Sequence, residues 1–345
     1  MRIYCDGIFD LFHEGHLNHF KKIHKLFEGE TIHLIVGVIS DKVASDYKRL
    51  PIINENHRLK MISSLLFVEE AFITDMLVID EDFLTNYKID YVVHSFSNPS
   101  DQSNQDSFFK TPIRLNKFKE IPYNFGISTT EIIQSYYNDK KCESENKDRY
   151  LNWKEIWENK GNENINDLYV LNGWEETNFD PKLLVDRMIE KLNINKNESI
   201  MEYGCGSGLL SLYLKDYQYY GLDYSASLVS KHIKLLNNIV FNFPCSETIF
   251  KSKYFDHVII NSTLEYLQTN EELEKTIQEI ERITKKGIYI ANIRFKTHSE
   301  KKNKHKYNGN YQHFVIDKQY FIDLKYNVVE SLYDADRYDV YKLLE

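Results

Sequence analysis

Asp6-Gly7-Ile8-Phe9-Asp10-Leu11-Phe12-His13-Glu14-Gly15-His16 places two histidines around a glycine directly after a short run of strand-forming residues, Arg2-Ile3-Tyr4-Cys5. Apolar side chains follow at Leu17, Phe20, Ile23, Leu26 and Phe27, a helical spacing. The stretch therefore reads as a strand-to-helix turn. Such a turn presents unpaired N–H groups and the positive end of a helix dipole, which suits a phosphate. Two imidazoles add directed donors for charge growing on phosphate oxygens, and Gly15 allows close backbone approach. His13 and His16 could equally cap or pack the helix.

Working outward, Ile32-His-Leu-Ile-Val-Gly-Val-Ile39 reads as a buried parallel strand and Ile89-Asp-Tyr-Val-Val-His94 as another, with helices near 56–68 and 80–87 between them. This alternation predicts a doubly wound sheet with its ligand beyond the carboxyl ends of the strands. The run from Asn138 to Tyr150 is polar and aperiodic, so a linker is expected over 139–150 between domains at 1–138 and 151–345. A second alternation follows: helix 181–192, strand 199–203, a glycine-rich turn, helix 209–215, strand 219–223, helix 226–236, strand 255–261, helix 270–284 and strand 287–293. The fold class is α/β throughout, as two doubly wound domains.

At 345 residues the chain accommodates two cores, and 42% hydrophobic content excludes a disordered protein. A net charge of −9 argues against a general nucleic-acid binder, Lys301, Lys302, Lys304 and Lys306 being read as a solvated loop. Cys5, Cys142, Cys205 and Cys245 are scattered, so neither a zinc site nor a disulfide framework is indicated. No leader and no membrane span is expected, and the setting reads as cytoplasmic.

With these motifs assembled, residues 1–137 resemble the cytidylyltransferases that join CTP to a phosphorylated alcohol, particularly the phosphocholine and phosphoethanolamine branches. The matching residues are Asp6-Gly7-Ile8-Phe9-Asp10 with His13-x-Gly15-His16, Leu34 to Val38 with Ser40-Asp41, Lys48 ahead of Asn54-Glu55-x-x-Arg58, and Gly126-Ile127-Ser128-Thr129-Thr130-x-Ile132. The resemblance implies His13, His16 and Lys48 as catalytic residues. It implies nucleotide contacts at Gly7, Phe9, Asp10, Gly15, Arg58, Gly126, Ser128 and Thr129, with Mg²⁺ offsetting pyrophosphate charge and no dedicated protein metal site. Read singly, Lys48 is an ordinary surface lysine and Ser128-Thr129-Thr130 an ordinary helix cap.

Two positions depart from that family. Ser95-Phe96-Ser97 stands where it usually has a glycine and an acidic pair, and Tyr123 where it usually has a phosphate-binding arginine, for which Arg114 is a substitute from the same loop.

Met201-Glu202-Tyr203-Gly204-Cys205-Gly206-Ser207-Gly208 places three glycines between a strand and a helix, with Asp223 closing the next strand. A dinucleotide-binding turn is one reading. With Phe255 to Leu267 supplying a further strand and a polar crevice, the region resembles a class I S-adenosylmethionine-dependent methyltransferase. That resemblance implies cofactor contacts at Glu202, Gly204, Gly206, Gly208 and Asp223, the last to the ribose. Trp153, Trp157 and Trp174 either cover the cofactor pocket or belong to the core, the core being preferred.

The expected function is then a bifunctional enzyme: cytidylyl transfer from CTP to a phosphocholine-, phosphoethanolamine- or polyol-phosphate-like alcohol, and methyl transfer to a small-molecule, lipid-precursor or glycan acceptor. A homodimer is an open expectation. The alternative is a methyltransferase whose first domain binds nucleotide without catalysis or is of adenylyltransferase type.

Overall fold

The computed structural model describes residues 1–96, 102–103, 107–123, 153–174, 178–246, 249–294 and 313–344. Gly126, Ser128, Thr129, Ser97, Cys142, the basic run 301–306 and the expected linker lie outside them. The chain divides into two compact units, Met1–Ser135 and Tyr136–Glu345.

In the first unit the described strands are β1 (Arg2–Gly7), β2 (His33–Ile39), β3 (Glu70–Thr74), β4 (Tyr91–His94) and β5 (Phe118–Glu120). They lie in the order β3-β2-β1-β4-β5, every pair parallel. Because helices cover both faces, the central strands are apolar throughout: Ile3, Tyr4, Cys5, Leu34, Ile35 and Val36 are fully buried. The chain builds outward from β1 through β2 to β3, then crosses to β4 on the other side. The switch point, where ligands bind in such sheets, therefore falls between the ends of β1 and β4. The helix Glu14–Leu26 buries Leu17, Phe20 and Ile23, while Leu26, expected on the same face, is 44% exposed in the last turn.

The expected helices appear as Glu55–Ser64 and Glu81–Asn86. The helix Asp41–Tyr47 and strands β3 and β5 had not been anticipated; β3 and β5 are edge strands of five and three residues, too short to show a period.

The second unit contains β6 (Ser199–Tyr203), β7 (Gln218–Asp223), β8 (Ile239–Asn242), β9 (Phe255–Asn261), β10 (Thr284–Arg294), β11 (Asn327–Glu330) and β12 (Arg337–Leu343). Their order is β11-β12-β10-β9-β6-β7-β8, parallel except where β12 pairs antiparallel with β10 and β11. The switch point falls between β6 and β9.

The helix Pro181–Leu192 shows why the local reading succeeded. Asp180 accepts from the N–H groups of Lys182 and Leu183, Pro181 takes the first position, and left-handed Asn193 ends it. Its Leu184, Val185, Met188 and Leu192 form one buried face. The helix expected over 209–215 is instead a single 3₁₀ turn, Leu210–Tyr213. No extended helix dipole therefore stands behind the glycine turn. Among the described residues no helix is long and apolar enough to cross a membrane.

Arg58, fully buried, joins three segments of the first unit: Nε donates to Ile53 O at 2.8 Å, Nη1 to Ile8 O at 2.5 Å and Nη2 to Asp41 Oδ1 at 2.6 Å. Removing it strands two carbonyls and a half-buried carboxylate. Arg58→Ala is expected to lower the stability of this unit by about 3 kcal/mol, read as a lower urea midpoint by circular dichroism.

Candidate functional site

The turn after β1 is built from backbone that glycine-free sequence rarely adopts: Phe9 and Leu11 have φ of 53° and 47°. Gly7 has no Cβ because one would sit 2.9 Å from the Phe9 ring. His13 is the helix N-cap. Its Nδ1 accepts from the Gly15 N–H at 3.1 Å, and His16 Nδ1 accepts from the His13 N–H at 3.3 Å, a reciprocal cap. The N–H groups expected to be unpaired are thus partly taken by the imidazoles.

This capping has a chemical consequence. A neutral imidazole whose Nδ1 accepts carries its proton on Nε2, so the cap makes both rings Nε2–H donors. Capping and donation use opposite edges of each ring. The two rings stack at 4.0 Å, Phe12 stacks on His16 at 5.3 Å and Phe9 meets it edge-on at 5.5 Å. Burial holds the His16 imidazolium well below its usual range, with His13, His19 and the Lys48 ammonium adding to the effect. Lys48 is the exposed C-cap of the helix Asp41–Tyr47.

Asp10 and Arg58 sit differently from the nucleotide contacts implied for them. The Asp10 carboxylate accepts from the Ile52 and Ile53 N–H groups at 3.0 and 2.9 Å and pairs with Arg49 at 2.9 Å. With Arg58 on the Ile8 carbonyl, these contacts tie the segment carrying Lys48 to the first turn. Both residues act here as braces.

Three residues that received no role meet at the same strand ends. Asp6 lies 3.8 Å from His94 Nδ1, and burial raises its carboxyl to about 7. His19 Nδ1 is 3.2 Å from Ser95 Oγ, and burial, with His94 and Lys22, lowers the His19 imidazole to about 3. The spacing of His13, His16 and His19 every three residues was the available signal. At the departures, Ser95 meets His19 and Phe96 packs 4.8 Å from His94 and 6.1 Å from Phe109. Arg114 pairs with Glu81 where both are 61% exposed, so the proposed substitute is engaged at the surface.

In the second unit Gly204, Gly206 and Gly208 have φ of 70°, 50° and 93°. A Cβ on them would strike Thr263, Asn172 and His232 respectively. Asp223 Oδ2 accepts from the Gly206 N–H at 2.9 Å and Oδ1 from the Ser225 N–H at 2.8 Å. A carboxylate has about four acceptor positions, so acceptor capacity remains beyond these and the Tyr224 N–H. Burial raises Asp223 to about 6. Glu202 is buried behind the turn, where its Oε2 accepts from the Tyr219 hydroxyl at 2.6 Å; burial raises it to about 8.

The glycine turn and Asp223 open on a cavity of about 390 Å³. Trp153, Trp157 and Trp174 all line it, while Trp153 is also buried and Trp174 packs against the core, so the core placement preferred from sequence and a place in the cavity wall go together. The helix Trp153–Asn162 is held there by Glu158, which accepts from the Ser225 hydroxyl and the Ser227 N–H at 2.9 and 3.0 Å. The cradle fits a small cofactor with a ribose, since the glycines bring backbone to its wall and Asp223 offers acceptors.

Each unit also matches a family model. Residues 4–135 match the family model "Cytidylyltransferase-like", and residues 201–291 match the model "Methyltransferase domain". The chain thus joins a domain of nucleotidyltransferase type to one of methyltransferase type. The choline-phosphate cytidylyltransferase of Saccharomyces cerevisiae is 34% identical over 139 residues, 40% of this chain and 32% of that protein. The ethanolamine-phosphate cytidylyltransferase of Arabidopsis thaliana is 28% identical over 137 residues, 39% of this chain and 31% of that protein. The chain spans about a third of the length of these two relatives. A solved structure, Haemonchus contortus phosphoethanolamine N-methyltransferase 1 with phosphoethanolamine and S-adenosylhomocysteine, aligns at a TM-score of 0.44 and 11% identity, covering 63% of this chain and 50% of that one. At that score the likeness carries no argument about this site.

Glu202 sets a pH dependence. Between its ordinary unfolded value near 4.3 and about 8, the folded unit keeps a proton that the unfolded chain releases. Stability from this group therefore falls as pH rises through that window. Glu202→Gln keeps an acceptor for Tyr219 and removes the slope, so its stability relative to the parent should grow from pH 5 to pH 9. Unfolding followed by tryptophan fluorescence checks this, because all three tryptophans lie in this unit.

Proposed function

We propose that the chain is a bifunctional enzyme, with cytidylyl transfer from CTP to a small phosphorylated alcohol in 1–138 and methyl transfer from S-adenosylmethionine in 151–345, joined by a linker over 139–150. The observation that supports the first half is the reciprocal histidine cap, which uses the Nδ1 of both rings in the turn after β1 and leaves their Nε2–H for donation. In-line attack of a phosphate monoester on an α-phosphorus needs fixed donors and cations around a crowded anionic centre more than it needs a base. His13 and His16 would donate to phosphate oxygens and Lys48 would add a positive charge. Gly7, Phe9 and Gly15 shape the turn, and Asp10 and Arg58 hold the Lys48 segment against it. Gly126, Ser128 and Thr129 are assigned to the nucleotide by their motif.

Among the described residues no three His, Cys, Asp or Glu side chains gather as metal ligands. We therefore assign Mg²⁺ to the triphosphate oxygens, where it would offset pyrophosphate charge. The alcohol is taken from the phosphocholine and phosphoethanolamine class, because the matched relatives are named for those substrates. A cytoplasmic setting suits small phosphorylated substrates.

In the second half Gly204, Gly206 and Gly208 would admit the amino-acid part of the cofactor and Asp223 would accept from its ribose hydroxyls, with Glu202 bracing the turn through Tyr219. The bound cofactor supplies an electrophilic methyl group. The departures at Phe96 and Tyr123 favour a second reading, in which the first unit binds a nucleotide without transferring it. Pyrophosphate release measured with each of the four nucleoside triphosphates separates the two.

His16→Ala is expected to lower CTP-dependent pyrophosphate release on the order of 10²–10³-fold while S-adenosylmethionine binding stays intact; near-parental turnover would remove His16 from the reaction. Asp223→Ala should weaken S-adenosylmethionine by about tenfold to a hundredfold, the cost of unpaired ribose hydroxyls, and spare pyrophosphate release. Calorimetric titration of the full chain with S-adenosylmethionine and with NAD checks this, and tight NAD binding alone would make the second unit a dinucleotide domain.

A further inference from the structure

Beyond the glycine turn, the cavity of the second unit has a wall that the cofactor reading does not use. Trp153, Trp157, Tyr266 and His313 form an aromatic corner. Tyr266 meets Trp153 at 5.0 Å and 66° and Trp157 at 5.3 Å and 80°, and His313 lies 4.7 Å from Trp153. Burial lowers His313 to about 4, so the corner is uncharged at neutral pH. Faces of electron-rich rings meeting nearly at right angles attract an ammonium group.

Next to the corner in the same cavity are Arg294 and Arg337, and one buried carboxylate serves both. Glu265, 4% exposed, pairs through Oε2 with Arg294 Nε and through Oε1 with Arg337 Nη1 at 3.3 Å. His313 Nε2 is 3.9 Å from Glu265 and adds no charge while neutral. Asp334 stands 3.8 Å from Arg337 Nε, so the two guanidiniums meet two carboxylates. Glu265 engages only the Nε of Arg294, which leaves its Nη donors for an anion in the cavity that Arg294 lines. The Trp157 Nε1–H is also buried there without a partner.

We propose that the methyl acceptor is a small amine that also carries a phosphate, its nitrogen seated against the Trp153, Tyr266 and His313 corner and its phosphate paired with Arg294 and Arg337. This rests on the methyltransferase reading of the second unit and narrows it to phosphorylated amino alcohols, either free or as the CDP conjugate that the first unit would make. In the transfer the seated ammonium first gives one proton to water, the lone pair so freed forms the N–CH₃ bond, and the methyl–sulfur bond breaks with its electron pair left on sulfur.

The full chain is first titrated with S-adenosylhomocysteine by calorimetry; absence of binding overturns the methyltransferase reading and this inference with it. Methyl transfer from labelled S-adenosylmethionine is then compared for phosphoethanolamine, CDP-ethanolamine, ethanolamine and glycerol phosphate. Methylation of either phosphate-bearing amine, with ethanolamine and glycerol phosphate much poorer, supports the proposal, and the ratio of the first two identifies the source. Equal or better methylation of ethanolamine or glycerol phosphate, or none of either phosphate-bearing amine by a chain that binds S-adenosylhomocysteine, overturns it. Arg294→Gln should raise KM for the phosphorylated amine about tenfold to a hundredfold with S-adenosylhomocysteine affinity retained; an unchanged KM overturns the phosphate assignment.

A readout independent of turnover uses phosphocholine, whose nitrogen is already fully methylated. Since all three tryptophans line this cavity, saturable quenching of their fluorescence by phosphocholine reports this unit rather than the first. Weakened quenching in Arg294→Gln supports the proposal, and no saturable quenching in the parent overturns it.

Discussion

A parallel strand that turns directly into the next element leaves backbone N–H groups without partners, and both units are organised around how that shortage is met. In the first unit, side chains of the helix itself meet it: His13 takes the Gly15 N–H and His16 takes the His13 N–H. In the second, the shortage is met from the neighbouring strand, where Asp223 at the end of β7 takes the Gly206 and Ser225 N–H groups. Each solution fixes a reactive or binding group while it satisfies the backbone.

The consequences differ with the chemistry of the group used. A neutral imidazole that accepts at Nδ1 carries its proton on Nε2, so the cap gives a pair of Nε2–H donors, and burial favours the neutral form of His16. A carboxylate that accepts two N–H bonds still has acceptor capacity, so a brace can also hold hydroxyls. Around both, further buried groups serve only to place these: Arg58 and Asp10 hold the Lys48 segment, and Glu158 holds the helix that brings Trp153 and Trp157 to the cavity. The cavity of the second unit joins a glycine turn and a carboxylate to an aromatic corner and a guanidinium pair.

The positions that depart from the cytidylyltransferase pattern are structurally coherent rather than vacant. Ser95 meets His19, and Phe96 joins His94, Phe109 and Phe118 in one aromatic group at the end of β4.

Local sequence determined those features that local physics controls. The helix Pro181–Leu192 was legible from Asp180, Pro181 and the spacing of its apolar face, and β6 and β9 from short apolar runs between turn signals. The histidine turn was legible as a strand-to-helix turn and the glycines as a turn after β6, but the 3₁₀ turn that replaces the expected helix there was not. What pairs across long sequence separations was not legible. Arg58 reads as a helical arginine until the fold puts Ile8 and Asp41 around it. Arg294 and Arg337 meet at Glu265 because antiparallel β12 lies beside β10, and Trp153 meets His313 from the other end of the unit. Periodicity encodes which face of an element is buried; which charges and rings then face one another is decided by strand order, and that is fixed by packing of the whole sheet.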